Sequence, residues 1–352
     1  MSTDYNVFIC HQGSDSKRDV VSVLKGMLNS EGITCFVDFG MNKGTDVNFA
    51  IQKAIESSLV DIVIVSAKFT SSHSCLDEVH KIMTKQNTTS TPRKVIPVYY
   101  DVEPSMDMDM ATLKRSTDDQ TKSWTEALKA LQKLKGFEYK TETAFEWEEL
   151  SNIVLEVKAF LISHDIIPSN HAESTWKMDM NPYYGSVFLS HNKMDTQRNA
   201  VSVFRGILGS RGITCKVLDY EKERDQMKLD VEKAIRNSTV HVIFLSENFV
   251  KCKDCLEEVD KIMNVHSTKT PFEVKILPVF YNVAPSVVRH QLKGSDYDFI
   301  NVERSTDVER KRWAEALNRL SHLMGFEYNT ETIYLYWMKA TTLGGGREQE
   351  KQ

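Results

Sequence analysis

No stretch of this 352-residue chain stays apolar for the roughly 20 residues that span a bilayer. Met1-Ser2-Thr3-Asp4 leads straight into an apolar run, which leaves no room for a secretory leader. Both absences predict a cytoplasmic protein without a membrane partner. Charge of one sign is also scarce: a formal net charge of -5 argues against nucleic acid as the main partner. Six cysteines do not make a disulfide framework in so long a chain. Cys10, Cys35 and Cys215 lie in strand-like apolar runs, where a thiol packs as a small hydrophobe. Cys252-Lys253-Asp254-Cys255 has the CxxC spacing, yet the pair is single and its counterpart begins with Ser72, so the signal for metal or redox use is weak and no metal site is expected. No GxxxxGK[ST] or GxGxxG cradle follows a strand, which excludes the usual triphosphate and Rossmann redox sites. Ser66, Ser190 and Ser246 lack the glycines of a nucleophile elbow.

What the chain does have, it has twice. Cys75-Leu76-Asp77-Glu78-Val79-His80-Lys81-Ile82-Met83 returns as Cys255-Leu256-Glu257-Glu258-Val259-Asp260-Lys261-Ile262-Met263. At that fixed offset, Val7 to Met83 and Val187 to Met263 agree at roughly 30 of 77 positions without a gap. Later anchors keep their order: Pro97 with Pro278, Pro104-Ser105 with Pro285-Ser286, Gly136-Phe137-Glu138-Tyr139 with Gly325-Phe326-Glu327-Tyr328. So long a period means two domains, each large enough for its own core. The expected boundaries are 1–162 and 183–341, with an aperiodic linker at 163–182 and a disordered tail at 342–352.

Within each unit, short β-branched runs alternate with amphipathic stretches. The first unit places strands at Asn6–Cys10, Ile33–Val37, Ile62–Val65 and Val95–Tyr100, and helices near 16–30, 47–58 and 75–85, with Gly32 as a stop signal. A fifth strand and a closing helix are expected from Trp124–Leu134 and Phe145–Leu161, matched by Trp313–Leu323 and Tyr334–Met338. Ile62–Val65 and Val242–Leu245 are apolar on both faces, as parallel strands covered by helices on each side must be. The architecture implied is α/β, an open doubly wound sheet in each unit. With a flavodoxin-like strand order, the ligand crevice falls beyond the carboxyl ends of the first and third strands.

The loops that meet there run from Cys10 to Asp15 and from Ser66 to Ser74, with Glu78 just beyond. Ser74-x-x-Asp77 and Asp254-x-x-Glu257 read as capping pairs, which gives the acids at 77 and 257 a structural reason. Glu78 falls on the flank of the buried stripe Leu76, Val79, Ile82 and Met83, where it is free either to be solvated or to lean into the cleft. His11 and His191 recur at the same mouth, either as ligand contacts or as strand-end residues bonded to nearby backbone.

These residues together carry a resemblance. Tyr5-Val7-Phe8, Gly13-Asp15, Gly32-Ile33-Phe36-Asp38, Ala54-Ile55-Ser58, Cys75-Leu76-Glu78 and Pro97-Val98-Tyr99-Tyr100-Val102-Pro104-Ser105 resemble the Toll/interleukin-1 receptor (TIR) domain in its plant form. Tyr281-Asn282-Val283-Ala284-Pro285-Ser286-Val287-Val288-Arg289-His290-Gln291 matches the same pattern in the second unit. The resemblance implies a tandem of two flavodoxin-like TIR folds, each a five-stranded parallel sheet with helices on both faces, and no nucleotide-binding or leucine-rich-repeat module. It also implies NAD+ as substrate, not as a cofactor: cleavage of the nicotinamide–ribose bond to ADP-ribose-type immune signals. Glu78 and Glu258 take over the family's catalytic role. Ligand contacts carry over to His11, Gln12, Gly13, Asp15, Lys43, Gly44, Ser74 and Cys75 in the first unit, and to His191, Lys193, Asp195 and Cys255 in the second. The second-strand loop of such domains mediates association, so the expected partners are TIR domains of this chain or of others.

Departures from the pattern cut the other way. Gln12 stands where the family usually has arginine, and Asn192-Lys193-Met194 has lost the early glycine, so the planar charged fork for phosphate is missing. Ser74 and Asp254 replace a tryptophan that would give a stacking surface. Lys43-Gly44 is kept, but the second unit reads Glu223-Arg224. Two readings stay open: an NAD+-cleaving enzyme whose sites are completed by TIR–TIR association, or a decayed tandem that assembles with or regulates other TIR proteins.

Overall fold

A computed structural model describes residues 5–13, 20–38, 46–88, 91–105, 117–168, 187–217, 224–268, 274–298, 302 and 305–329. The chain divides into two compact units, 1–174 and 175–352. Of the expected linker, only the part up to Pro168 is described, and its first residue still belongs to the preceding helix; the expected tail lies outside the described residues.

In the first unit, β1 (Val7–His11), α1 (Val20–Ser30), β2 (Cys35–Phe36), α2 (Val47–Ser57), β3 (Val60–Val65), α3 (His73–Thr88), β4 (Lys94–Tyr100), α4 (Asp118–Gln132), β5 (Phe137–Tyr139) and α5 (Glu146–Ser163) follow one another. The strands form one parallel sheet in the order β2-β1-β3-β4-β5. Every residue of β1 and β3 is buried, which is the physical meaning of strands that read as apolar on both faces. One face carries a core of Phe8, Val63, Phe69, Leu76, Val79, Trp124 and Leu131, covered by α2, α3 and α4. On the other side α1 packs with α5, and the buried Lys158 of α5 pairs with Glu31 just after α1. Strand order therefore reverses at the β1/β3 boundary, where the sequence put the crevice.

The second unit repeats the plan with β6 (Val187–His191), α6 (Lys193–Thr196), α7 (Ala200–Ser210), β7 (Cys215–Val217), α8 (Arg224–Asn237), β8 (Val240–Leu245), α9 (Lys253–Thr268), β9 (Lys275–Tyr281), α10 (Pro285–His290), α11 (Asp307–Ser321) and β10 (Phe326–Tyr328). Its sheet order is β7-β6-β8-β9-β10, parallel throughout. The one-turn helix α6 follows directly on β6, and its cap is Asn192, whose side chain accepts from the Met194 N–H at 2.9 Å.

Three local devices explain where elements stop and start. Gly32 and Gly212 end α1 and α7 in the left-handed conformation, φ 71° and 70°, and the N–H of Ile33 turns back to the Leu28 carbonyl. Thr117 and Thr306 close capping boxes with Gln120 and Glu309. The fifth strands lie not in the tryptophan segments, which form α4 and α11, but in the Gly-Phe-Glu-Tyr anchors that follow. There a Cβ on Gly136 would stand 2.6 Å from the Pro97 carbonyl oxygen, and one on Gly325 would stand 2.5 Å from that of Pro278. Only glycine lets the chain come so close to β4 or β9, and that is how a three-residue strand joins the sheet edge. The closing helix expected near Tyr334–Met338 lies outside the described residues.

Candidate functional site

The second turn of α3 puts Glu78 against the carboxyl end of β1. Its neighbour there is the Cys10 thiol, which itself donates to the Cys75 carbonyl at 3.9 Å. Burial pushes the Glu78 carboxyl up to about 7; the neighbouring Cys10 thiol pulls it down and the Asp38 carboxylate adds to the rise. Burial likewise drives the Cys10 thiol well above its ordinary value, so it serves as a neutral donor. The Cys75 thiol of α3 donates to the His11 carbonyl at 3.5 Å, which ties the helix start to the strand end. His11 itself is buried, with Nε2 3.1 Å from Oδ1 of Asp38 just past β2. Glu78, Cys10, His11 and Asp38 thus form one cluster drawn from β1, the end of β2 and α3.

The second unit builds the same corner more tightly. Glu258 is 3 % exposed and accepts a hydrogen bond from Ser190, the counterpart of Cys10. Burial pushes its carboxyl up to about 8 against the opposing pull of that bond. His191 is bonded to Thr196 of α6 at 3.1 Å, and burial holds it down to about 4, so it stays neutral. Asp195 accepts from both the backbone N–H and the side-chain amide of Asn248, at 2.9 and 2.8 Å, while Asn192 donates to the Asn248 carbonyl at 2.8 Å. The loop after β6 is thereby fastened to the loop after β8.

Of the residues singled out from sequence, His11, Glu78 and Cys75 come together in the first unit, and His191, Glu258 and Cys255 in the second. Gln12 and Gly13 lie half-buried beyond β1; Ser74 is exposed, its hydroxyl 3.0 Å from that of Ser72; Lys193 is half-buried in α6. Asp15, Lys43 and Gly44 lie outside the described residues. The expected capping pairs take a different form. Helix α3 starts at His73, so Ser72 is the cap, accepting from the Cys75 N–H at 3.3 Å. Asp77 instead accepts from the indole N–H of the buried Trp124 at 2.9 Å, and Glu257 from that of Trp313 at 3.2 Å. The acid at this position anchors the following helix because an indole N–H inside the core needs an acceptor. Cys252 and Cys255 are joined in a disulfide, where the sequence promised none. The residues that sequence reasoning missed are Cys10 as neighbour of Glu78, Ser190 as partner of Glu258, Asp38 as partner of His11, and Asn248. Cys10 and Ser190 were discoverable, since a polar-capable side chain recurs at that strand end in both copies.

Among the described residues no helix is long and apolar enough to cross a membrane, and no cluster of histidine, cysteine or acidic side chains is arranged to hold a metal ion.

The TIR domain profile matches residues 4–179 and again 184–332. The disease resistance protein RUN1 of Vitis rotundifolia is 33% identical over 140 residues, covering 40% of this chain and 10% of that protein. TMV resistance protein N of Nicotiana glutinosa is 37% identical over 102 residues, 29% of this chain and 9% of that one. The disease resistance-like protein CSA1 of Arabidopsis thaliana is 28% identical over 244 residues, 62% of this chain and 20% of that one. The chain thus spans from 9% to 20% of the length of these three relatives. Among solved structures, the TIR domains of the activated Roq1 resistosome, which recognises the effector XopQ, are 27% identical with a TM-score of 0.36, covering 45% of this chain and 99% of that one.

Proposed function

The chain belongs to the TIR domain family in both of its units, and on that premise we propose that it is a signalling enzyme that cleaves the nicotinamide–ribose bond of NAD+. The observation that carries this reading is the Glu78 carboxyl, tucked against Cys10 at the carboxyl end of β1 and raised to about 7. Nicotinamide departs as a neutral base and leaves an oxocarbenium-like ribose. An ionised Glu78 stabilises that positive charge, and does so more strongly in a site shielded from water. Water then adds to the ribose carbon, giving ADP-ribose, free nicotinamide and one proton. A carboxyl that titrates near neutrality is also suited to receive that proton from the attacking water.

His11, held by Asp38, shapes the wall beside Glu78. Gln12 and Gly13, half-buried just past β1, and the exposed Ser74 at the start of α3 are the proposed contacts to the dinucleotide. Association with TIR domains of the same or other chains completes the site in this reading. Similarity to plant disease resistance proteins supports immune signalling as the setting.

Nicotinamide release by the full chain tests the proposal, with Glu78→Ala and Glu258→Ala made singly and together. Loss of Glu78 is expected to lower turnover by at least ~10²-fold, the usual cost of removing a preorganised electrostatic stabiliser; full activity in the double variant would sink the reading.

A second reading has its own support. Glu258 is 3 % exposed and bonded to Ser190, and Asp195 is taken up by Asn248, so both of these acids of the second unit are already engaged within it. That favours a unit kept for association, which joins or regulates assemblies of other TIR proteins. Self-association of the wild-type chain without NAD+ turnover at high protein concentration would favour this reading over the first.

A further inference from the structure

Cys252 and Cys255 bracket the start of α9, with their Cα atoms 5.3 Å apart and a disulfide between them. The two sulfurs differ in access. Cys252 is half-buried at the helix entrance, whereas Cys255 is 1 % exposed beneath it. The first unit shows the corner without a disulfide. There Ser72 Oγ accepts from the Cys75 N–H at 3.3 Å, and the Cys75 thiol donates to the His11 carbonyl at 3.5 Å. In the second unit Cys252 Sγ accepts from the Cys255 N–H at 3.3 Å, and Cys255 Sγ lies 3.6 Å from the His191 carbonyl oxygen. A released Cys255 thiol therefore already has its acceptor, and a released Cys252 sulfur already has its N–H donor. The first unit thus forms the equivalent helix start without a bond between the two positions.

We propose that Cys252–Cys255 is a reversible dithiol–disulfide site that exchanges with a low-molecular-weight thiol and its disulfide, Cys252 being the sulfur attacked and Cys255 the one that leaves. In the reducing direction a thiolate attacks Cys252 Sγ. The bond to Cys255 breaks, its electron pair goes to Cys255 Sγ, and that sulfur takes a proton from solvent and donates to the His191 carbonyl. A second thiolate attacks the small-molecule sulfur of the mixed disulfide and releases Cys252 as a thiolate. Two thiols are oxidised to one disulfide and one protein disulfide is reduced to two thiols. The helix start favours that thiolate, because an N–H and the positive end of the helix dipole face it, and attack is possible only on the sulfur that solvent can reach. The inference is independent of the catalytic reading, since it needs no turnover.

The full-length chain is equilibrated in glutathione buffers from fully reduced to fully oxidised, quenched with acid, alkylated and mapped by peptide mass spectrometry. Cys252 and Cys255 are expected to convert together with a midpoint inside that range, while Cys10, Cys35, Cys75 and Cys215 stay thiols throughout. Cys255→Ser is expected to trap one glutathionyl group on Cys252. Cys252→Ser, which installs the cap that Ser72 already provides in the first unit, is expected to abolish the exchange and take up none. A pair locked in one state across the whole range in the wild-type chain would overturn the site. An adduct on Cys255 in Cys252→Ser, or none on Cys252 in Cys255→Ser, would overturn the assignment of the two sulfurs.

Discussion

At the scale of single residues, the two glutamates look alike in sequence and differ in surroundings. Glu78 shares its corner with a thiol and with the charge of Asp38; Glu258 is sealed against a hydroxyl. If the ionised form of Glu78 is the one that acts, turnover should rise as pH passes through about 7 and level off above it; a flat profile from pH 5 to 9 would contradict that role. Glu258 has the opposite bearing on stability. Its carboxyl is raised from 4.5 to about 8, so between those values the folded chain holds a proton that the unfolded chain has lost. The second unit is then favoured most below that window and loses stability as pH climbs through it. Glu258→Gln should remove this loss, unfolding at a higher temperature than wild type at pH 8 while differing little near pH 4. His191, held down to about 4, acts in the other direction: its contribution is lost as pH falls from its unfolded value towards about 4, and the glutamine variant leaves that arm of the profile in place.

At the scale of elements, the anchors of the edge strands are the least forgiving positions. Gly136→Ala would drive a Cβ to within 2.6 Å of the Pro97 carbonyl oxygen, and overpacking of that kind costs ~1–3 kcal/mol. Gly26 in α1 has nothing within 4 Å of the same added atom, so Gly26→Ala should be neutral or stabilise by ~0.5–1 kcal/mol through the helix. Urea midpoints of the two variants check the contrast; equal shifts would mean that β5 does not need the close approach. The helices themselves were legible because their apolar spacing is local: Leu76, Val79, Ile82 and Met83 are all buried in α3, as their positions on the wheel require. The fifth strand was placed too early because three residues carry almost no periodicity, whereas the amphipathic stretch before them does. The acid at 77 or 257 was taken for a cap because the cap and the tertiary anchor share one sequence pattern; only the position of Trp124 or Trp313 separates them.

At the scale of the whole molecule, the chain presents two copies of one fold in which one corner is half-open and the other fastened. Association that completes a site between chains makes turnover second order in protein. Nicotinamide release per chain should therefore rise with protein concentration and reach a plateau; a rate per chain that stays constant over a wide range would place all the groups needed within a single molecule. The Lys43-Gly44 loop expected to take part in association lies outside the described residues, so this test bears on it directly.

The amino-acid sequence alone determined the duplication, the α/β class, the first four strands of the first unit with the helices between them and the identity of the recurrent acid, because repeats and periodicities are properties of residues close together in the chain. Strand order follows less directly, through the expectation that doubly apolar strands sit in the middle of a parallel sheet. Only the tertiary structure decided what each acid faces. Ser190 and Glu258 are 68 residues apart, and Asp195 meets Asn248 across a separation of 53; such pairings exist only once the sheet has brought the ends of neighbouring strands to one edge. Burial at that edge, and not the glutamate itself, sets the charge each carboxyl carries at neutral pH.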